Sequence, residues 1–452
     1  MKVIRFFDDW MLSMRVNLER HAGKPRWQCE AVFENPADIS PWSYPAVYRL
    51  DEGHWIMFYY ADTSNSLCVA ESVDGVSWSL PDLGGISTGV EPRYLNEVIG
   101  RHDHPTRKLP GGFVFEDCRD PVYRFKVLFL DGTDFENRIC RIGLSKDGKR
   151  WEIQNANWNP RLPDPPNCIY YNVGIGKYCI ALRPTRGNRR VALSKTTDFK
   201  EYTSPRLALQ PDRGDPPLAQ HYGMPVYAAE DMYIGLLWIL HHEDPNELRK
   251  GRNGKIDAQL SYSYDGLQWN RFLREPFIPL NDPGMPGSGC IYPSGVVELD
   301  EQLFIYSGSS RGEHAQYNGP MHMEKKEGDG AILLHTLRKD GWCYLEPDGG
   351  AGSLLTKAMV LNSCELSVNV QCPDGYARVR LADSVGNSYP GFDFENCTPF
   401  TGDSTRWVPQ WSSGDFSQLV EKEARIGLEL FNGRLYSIRA DADRSISPTA
   451  VA

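Results

Sequence analysis

The stretch that decides the fold is residues 53–78, GHWIMFYYADTSNSLCVAESVDGVSW. Its first half, HWIMFYYA, is a run of aromatic and apolar residues with the composition of a strand, and its second half, LCVAES, is a shorter strand that stops at Asp74-Gly75. Together they predict a β-hairpin with a label at its end, Ser72-x-Asp74-Gly75-x-x-Trp78. Asp-Gly supplies a turn with φ > 0, the Ser72 hydroxyl can bond the turn backbone, and Trp78 returns a large apolar ring to the sheet.

The label recurs in full at Ser145-x-Asp147-Gly148-x-x-Trp151 and Ser263-x-Asp265-Gly266-x-x-Trp269, in part at Ser194 to Asp198-Phe199, and in shortened form at Asp340-Gly341-Trp342. Each copy follows two strand-like runs, the first of them WIMFYYA at 55, RFKVLFL at 124, KYCIALR at 177, MYIGLLW at 232 and QLFIYSG at 302. Five such units, roughly 50 to 75 residues apart, match the signature of a propeller, whose blades cannot bury their faces alone. Blades are expected at about 41–85, 110–158, 162–205, 219–275 and 286–343, with a strand-bearing segment, residues 1–40, ahead of them. After Trp342 a turn-rich break, EPDGGAGSL, leads into ELSVNV, YARVRLA, ARIGLEL and RLYSIRA, which alternate at period two. The expected fold is therefore all-β: a five-bladed β-propeller over 1–343, then a β-sandwich over 344–452.

Composition narrows the function. No window approaches 18 consecutive apolar residues and the start, MKVIRFFDDWMLSM, carries two acids, so neither a membrane span nor export is indicated and the chain is expected to be cytoplasmic. Eleven cysteines, an odd number with no Cys-x-x-Cys spacing, argue for reduced, structural thiols. A net charge of −10 makes nucleic acid or an anionic membrane an unfavourable partner. No phosphate-binding Gly-rich loop is present and no cofactor is implied. A homo-oligomer is left open.

The working surface of a propeller is the mouth of its central channel. Residues just before each long apolar run are expected there: Trp42, Ser43 and Tyr44; Glu116, Asp117, Arg119 and Asp120; Asp164 and Asn167; His221, Tyr222 and Met224; Ser288, Cys290 and Tyr292. Arg183 and the segment Arg311-Gly312-Glu313-His314 follow such runs and could reach the same mouth, as could Asp8 or Asp9. Two carboxylates across a cavity are the minimal kit for hydrolysing a glycosidic bond, one protonating the leaving oxygen and one activating water or attacking carbon. Asp117 and Asp164 sit at equivalent points of successive blades, with Glu313 as a further candidate acid; their bland alternatives are a turn cap, a loop residue and a solvated loop. His241, His242 and Glu243 suggest a metal only weakly, because adjacent strand residues point to opposite faces.

The five-fold pattern, with YYADTSNSLCVAESVDGVSW, FEDCRDPVYRFKVLF, YGMPVYAAEDMYIGLLW and the leading FFDDWML, resembles bacterial glycosyl-hydrolase-like proteins. Those are related to the five-bladed propeller superfamily of glycoside hydrolase families 32, 43, 68 and 117. The stretch GFDFENCTPFTGDSTRWVPQW is similar to the β-sandwich that follows such propellers. In those families three acids come from the first three blades; here the first blade offers PWSYPAV, without a carboxylate, Asp117 matches the second acid, and Asp164 stands where a glutamate is expected. The resemblance implies a glycoside hydrolase acting on a short oligosaccharide or glycoside. The rivals are a non-catalytic carbohydrate-binding propeller and a phosphorolytic enzyme whose arginines, Arg119, Arg183 and Arg311, hold phosphate.

Overall fold

The computed structural model describes residues 2–29, 39–61, 66–84, 94–100, 112–131, 139–156, 158, 166–184, 188–242, 254–314 and 329–444. They form an all-β protein whose helical content, among the described residues, is the short 3-10 turn Phe416–Leu419. No helix among them is long and apolar enough to cross a membrane. Two compact units emerge, one from Pro25–Glu298 and Leu303–Thr336, the other from Met1–Lys24, Leu299–Gln302 and Leu337–Ala452.

The larger unit is a succession of small antiparallel sheets. The first runs Ala46–Asp51, His54–Ala61, Ser66–Ser72, Trp78–Ser79, with Glu97–Ile99 also on the third strand. The second is Val114–Glu116, Phe125–Asp131, Ile139–Ser145, Trp151–Asn155, and the third Cys168–Asn172, Lys177–Leu182, Val191–Thr196, Arg206–Leu209. A nine-stranded sheet follows, consisting of two antiparallel runs that meet in one parallel pair, Ile256 with Cys290. One run holds Gln220–Gly223, Val226–Ala228, Tyr233–His241, Lys255–Ser263 and Asn270–Arg271; the other holds Cys290–Glu298, Gln302–Ser310, Gly330–Arg338 and, from far earlier in the chain, Arg26–Cys29.

Side chains and backbone tie each run to the next. Tyr48 Oη donates to Val114 O (2.6 Å), Phe113 N to Asn167 O (3.3 Å), Tyr170 Oη to Gly266 O (2.6 Å) and Trp238 Nε1 to Pro293 O (3.0 Å). Ser294 Oγ then donates back to Pro45 O (2.7 Å), so the last run returns to the first. Apolar residues of facing sheets, Phe58, Phe125 and Trp151 among them, form the cores between.

The labels explain why the sheets are four strands deep. In the first, Ser72 Oγ accepts from Gly75 N (2.9 Å), Asp74 Oδ1 accepts from Val76 N and Ser77 N (both 2.8 Å), and Trp78 Nε1 donates to Gly75 O (3.1 Å). The turn's orphan amides are thereby satisfied and the indole is swung into the core, 6% exposed. Asp147 and Asp265 repeat the arrangement, with Gly75, Gly148 and Gly266 at φ 75°, 78° and 67°. The fourth copy is offset from its expected register. Thr196, not Ser194, caps the turn by accepting from Phe199 N (2.9 Å), Phe199 takes the glycine position at φ 58°, and Tyr202 Oη donates to Phe199 O (2.9 Å) in place of the indole.

The expected fifth copy does something else. Asp340, 3% exposed and in the smaller unit, accepts from Arg5 Nε (2.8 Å) and Arg439 Nη2 (2.8 Å). Burial alone would raise its pKa, but the two guanidiniums hold it below the ordinary carboxylate value.

The smaller unit is one nine-stranded sheet in the order Leu12–Val16, Gly352–Thr356, Glu423–Phe431, Met359–Ala382, Arg434–Arg444, Cys343–Pro347, Leu18–Ala22, with Lys2–Arg5 and Phe400–Trp407 as branches. Its first and last strands are consecutive in the chain, separated by Asn17 at φ 51°, so the sheet turns back on itself. This corrects the expected boundary: residues 2–22 do not belong with the first expected domain, because Lys2–Arg5 pairs with Arg434–Arg444 and the two following strands pair with Gly352–Thr356 and Cys343–Pro347.

Candidate functional site

The chain enters the first strand of each run at Trp42-Ser43-Tyr44, Gly112-Phe113, Pro166-Asn167, Gln220-His221-Tyr222 and Ser288 to Tyr292. These entrances gather at one end. Tyr44 lies 5.6 Å from Phe113, 5.1 Å from Trp238 and 5.4 Å from Tyr292 between ring centroids, and Tyr222 lies 6.2 Å from Trp238 and 6.1 Å from Tyr292. Farther along the same strands, Tyr48, Glu116 and Val296 line a cavity of about 770 Å³ with Phe113, Cys118, Arg119 and Tyr171.

Polar groups converge on Tyr222, which is 5% exposed. His314 Nε2 is 2.8 Å from Tyr222 Oη, Tyr44 Oη is 3.5 Å from it, and the guanidinium carbons of Arg183 and Arg189 stand 5.3 and 5.5 Å from its ring centroid. Trp42 Nε1 donates to His314 O (3.2 Å) and His314 N to Gly254 O (2.9 Å), which fixes the segment carrying Glu313 and His314. Glu313 is close enough to Cys290 for its charge to add to burial in pushing that thiol up to about 11. Burial likewise raises the Tyr292 phenol, which stays protonated.

Asn167 is 0% exposed, and neither atom of its amide has a hydrogen-bond partner among the described residues. Its backbone oxygen holds Phe113 N, and the adjoining Pro166 packs on Gly223, next to Tyr222. Cys168 pairs with Ala181 in the sheet, so Asn167 and Arg183 lie just beyond that pair on neighbouring strands.

The structure therefore brings together Trp42, Tyr44, Asn167, Arg183, Tyr222, Tyr292, Glu313 and His314. It does not bring Asp117 to them. Asp117 follows the short strand Val114–Glu116 and sits at its far end, where it accepts from Lys126 Nζ (3.0 Å) and Tyr178 Oη (2.5 Å) and pairs with Arg119 Nη2 (2.9 Å). Burial would raise this carboxyl, but these partners hold it below the ordinary value. Arg119 stacks on Tyr171 at that same end (3.4 Å to the centroid), and Asp120 shares Lys126 (2.8 Å). The expectation misplaced these residues because the second run's entrance is Gly112-Phe113, four positions earlier.

His221, at 0% exposure, turns away into a network between sheets. Its Nε2 accepts from Arg271 Nη1 (3.1 Å), and Arg271 Nη2 is paired with Asp215 Oδ1 (2.9 Å). Burial and that guanidinium push the ring down to about 3, so it is neutral. Asp9 is a correction of another kind: it belongs to the smaller unit, ion-paired with Arg15 and Arg20, whereas every residue of the cluster belongs to the larger one. Arg311 spends Nη1 on Gly284 O. His241 Nε2 meets Asp257 Oδ2 at 2.9 Å, apart from its neighbour His242. Among the described residues no three His, Cys, Asp or Glu side chains are grouped to hold a metal. Asp164 and Glu243 lie outside the described residues. Sequence reasoning missed Phe113, Arg189 and Trp238; the last was visible only as one more residue of an apolar run.

No protein-family model matches the chain, and no curated protein does. Similar solved structures include an N-acetylgalactosamine deacetylase from F. plautii in complex with blood group B trisaccharide, with a TM-score of 0.51 and 14% identity, covering 72% of this chain and 97% of that one. Others are a thermostable family-43 glycoside hydrolase (TM-score 0.43, 16% identity, 69% and 95% covered) and a Bombyx mori family 32 β-fructofuranosidase in complex with sucrose (0.41, 13%, 91% and 94%). The neighbours thus include glycoside hydrolases, the group the sequence resembles; at these identities the likeness is one of fold.

Proposed function

We propose that this chain is a glycoside hydrolase acting on a short oligosaccharide or glycoside, with a five-bladed β-propeller carrying the site and a β-sandwich beside it in the sequence. The observation that carries the reading is the Tyr222 end of the inner strands. Aromatic rings there pack into an apolar wall around the polar groups, and the buried Asn167 amide, without a partner among the described residues, suits a ligand hydroxyl. A sugar presents both kinds of surface at once. Glu313 provides a carboxylate at this end, and Asp164, three positions ahead of Asn167 in sequence, is proposed as the second. One protonates the leaving oxygen while the other activates water, and Arg183 and His314 position the substrate. Asp117 has no role in this scheme, since its oxygens are committed to Lys126, Tyr178 and Arg119.

The test is a panel of aryl and oligosaccharide glycosides, including N-acetylated ones to detect amide hydrolysis. On a substrate the wild type cleaves, E313Q and D164N should each lower kcat by several orders of magnitude with thermal unfolding nearly unchanged. Full activity in both variants would remove the carboxylate assignment. Sugar binding without cleavage of any panel member would favour a non-catalytic binding propeller.

A further inference from the structure

We propose that Asn167 is a specificity-determining residue of the Tyr222 end and that it reads two adjacent free hydroxyls on one ring of the ligand. This rests on the reading of that end as a glycoside site and deepens it by naming the feature recognised there. Asn167 is 0% exposed, and both its Oδ1 and its Nδ2 lack a hydrogen-bond partner among the described residues. A buried amide in that condition costs the fold the desolvation of a donor and of an acceptor, so such groups are uncommon and call for a partner from outside the chain. The backbone pins the position. Asn167 O accepts from Phe113 N (3.3 Å), Cys168 opens the strand Cys168–Asn172, and Pro166 is wedged so close to Gly223 that a Cβ there would stand 2.4 Å from Pro166 Cγ.

Those same contacts place Asn167 at the site. Phe113 packs on Tyr44 (5.6 Å) and Trp238 (5.8 Å), so Asn167 is tied through one neighbour to the aromatic cluster and through Pro166 to the strand that carries Tyr222. Its chemistry then selects the ligand group. An amide presents an acceptor oxygen and a donor nitrogen side by side in one plane. A carboxylate only accepts and an ammonium only donates, so each would leave half of the amide unpaired, and a single hydroxyl meets both atoms only at poor angles. Two hydroxyls on neighbouring ring carbons satisfy both, one donating to Oδ1 while the other accepts from Nδ2. A ring deoxygenated or substituted at either carbon leaves half of the amide buried without a partner, which is how a site built to bond a hydroxyl rejects an analogue lacking it.

Calorimetric titration of the full chain decides the matter, with the methyl pyranosides of D-glucose, D-galactose, D-xylose, L-arabinose and L-fucose as probes, each beside its monodeoxy analogues. Wild type should bind at least one parent glycoside, and the two analogues lacking one or other member of an adjacent hydroxyl pair should each bind tenfold or more weakly. N167L keeps the branching of the side chain without its polar atoms. It should lose tenfold or more on the parent and shrink those two penalties below threefold, while penalties at other hydroxyls persist. Without ligand, N167L should melt no lower than wild type, because it removes an unsatisfied amide from the interior. An asparagine that is merely structural, or bonded only to a trapped water, would lower the melting temperature in both N167L and N167A, and that result overturns the proposal. So does the absence of binding by every parent, a sensitive pair that is not adjacent, or penalties unchanged in the variant. If N167L fails to fold, N167A carries the same binding cycle. Binding is read without turnover: the expected pattern in a protein that cleaves no glycoside would refute hydrolysis and leave the role of Asn167 standing, and cleavage indifferent to N167L would do the reverse.

Discussion

At the scale of single residues, Asp117 is tied up in ion pairs while Asn167 keeps a buried amide with no partner among the described residues. Asp117 looked like the acid of a channel, being a carboxylate beside a strong apolar run. Chemistry was legible there and position was not, because the strand ahead of it, Val114–Glu116, is only three residues long and Asp117 follows it, while the entrance residues Gly112 and Phe113 precede it. Asp117 is the counter-ion of a Lys126 ammonium whose side chain is 4% exposed, with Tyr178 and Arg119 completing the set. D117N should therefore cost stability, on the order of 2–3 kcal/mol from a buried pair left half-made, with kcat within a few-fold of wild type. Urea unfolding and turnover on the same preparation check this; unchanged stability with abolished turnover would restore Asp117 as the catalytic acid. Arg183, Tyr222 and His314 were legible because each closely adjoins an apolar run, which is also where the described site is. Arg189 was not, since nothing in the string Arg-Gly-Asn-Arg-Arg marks which arginine faces a phenol.

At the scale of elements, the hairpin label was the most informative feature of the sequence, and its limits are instructive. Three copies are spelled with Asp-Gly, and in all three the glycine has a positive φ. The fourth spells the same turn as Thr196-x-Asp198-Phe199 with Tyr202 for the tryptophan, and its pattern hides because Ser194 offers a false start. The fifth resemblance was coincidental: Gly330–Arg338 takes its outer partner from Arg26–Cys29, so no label is needed after it. Two glycines separate what the turn requires from what packing requires. Gly53 has φ 74° with nothing within 4 Å of an added Cβ, whereas at Gly75, with φ 75°, that atom would lie 2.9 Å from Tyr306 Oη and 3.0 Å from the Trp55 ring. G53A should cost about 1 kcal/mol from backbone strain alone, and G75A about 2–4 kcal/mol from strain plus overpacking. Equal losses in denaturant midpoint would show that the label turn yields without disturbing its neighbours.

At the scale of the whole molecule, all-β class and the repeat were legible, but the boundary was not, since strand pairing across more than 300 residues leaves no local trace. The buried polar groups set how the larger unit responds to acid. Burial and Arg271 hold His221 at about 3, and burial holds His335 at about 4, whereas both titrate near 6.5 when unfolded. Above pH 6.5 each is neutral in both states and contributes no pH dependence. As pH falls below that, the unfolded chain takes up protons that the folded one refuses. Stability therefore drops by up to about 1.4 kcal/mol per pH unit for each histidine, down to about pH 4 for His335 and pH 3 for His221. Urea midpoints should fall little from pH 7.5 to 6 and more steeply from pH 6 to 5, and H335Q should flatten that lower limb; a level wild-type profile would refute the account. The strand Arg26–Cys29 has a consequence for how the protein is made. On a ribosome this strand emerges early, yet its partner, Leu334–Thr336, is translated about 300 residues later, so the earliest strand of the larger unit is held in waiting until nearly all of that unit exists. A chain cut short anywhere before residue 330 leaves that strand's hydrogen-bonding edge open, and a second unfinished copy is the readiest thing to cap it.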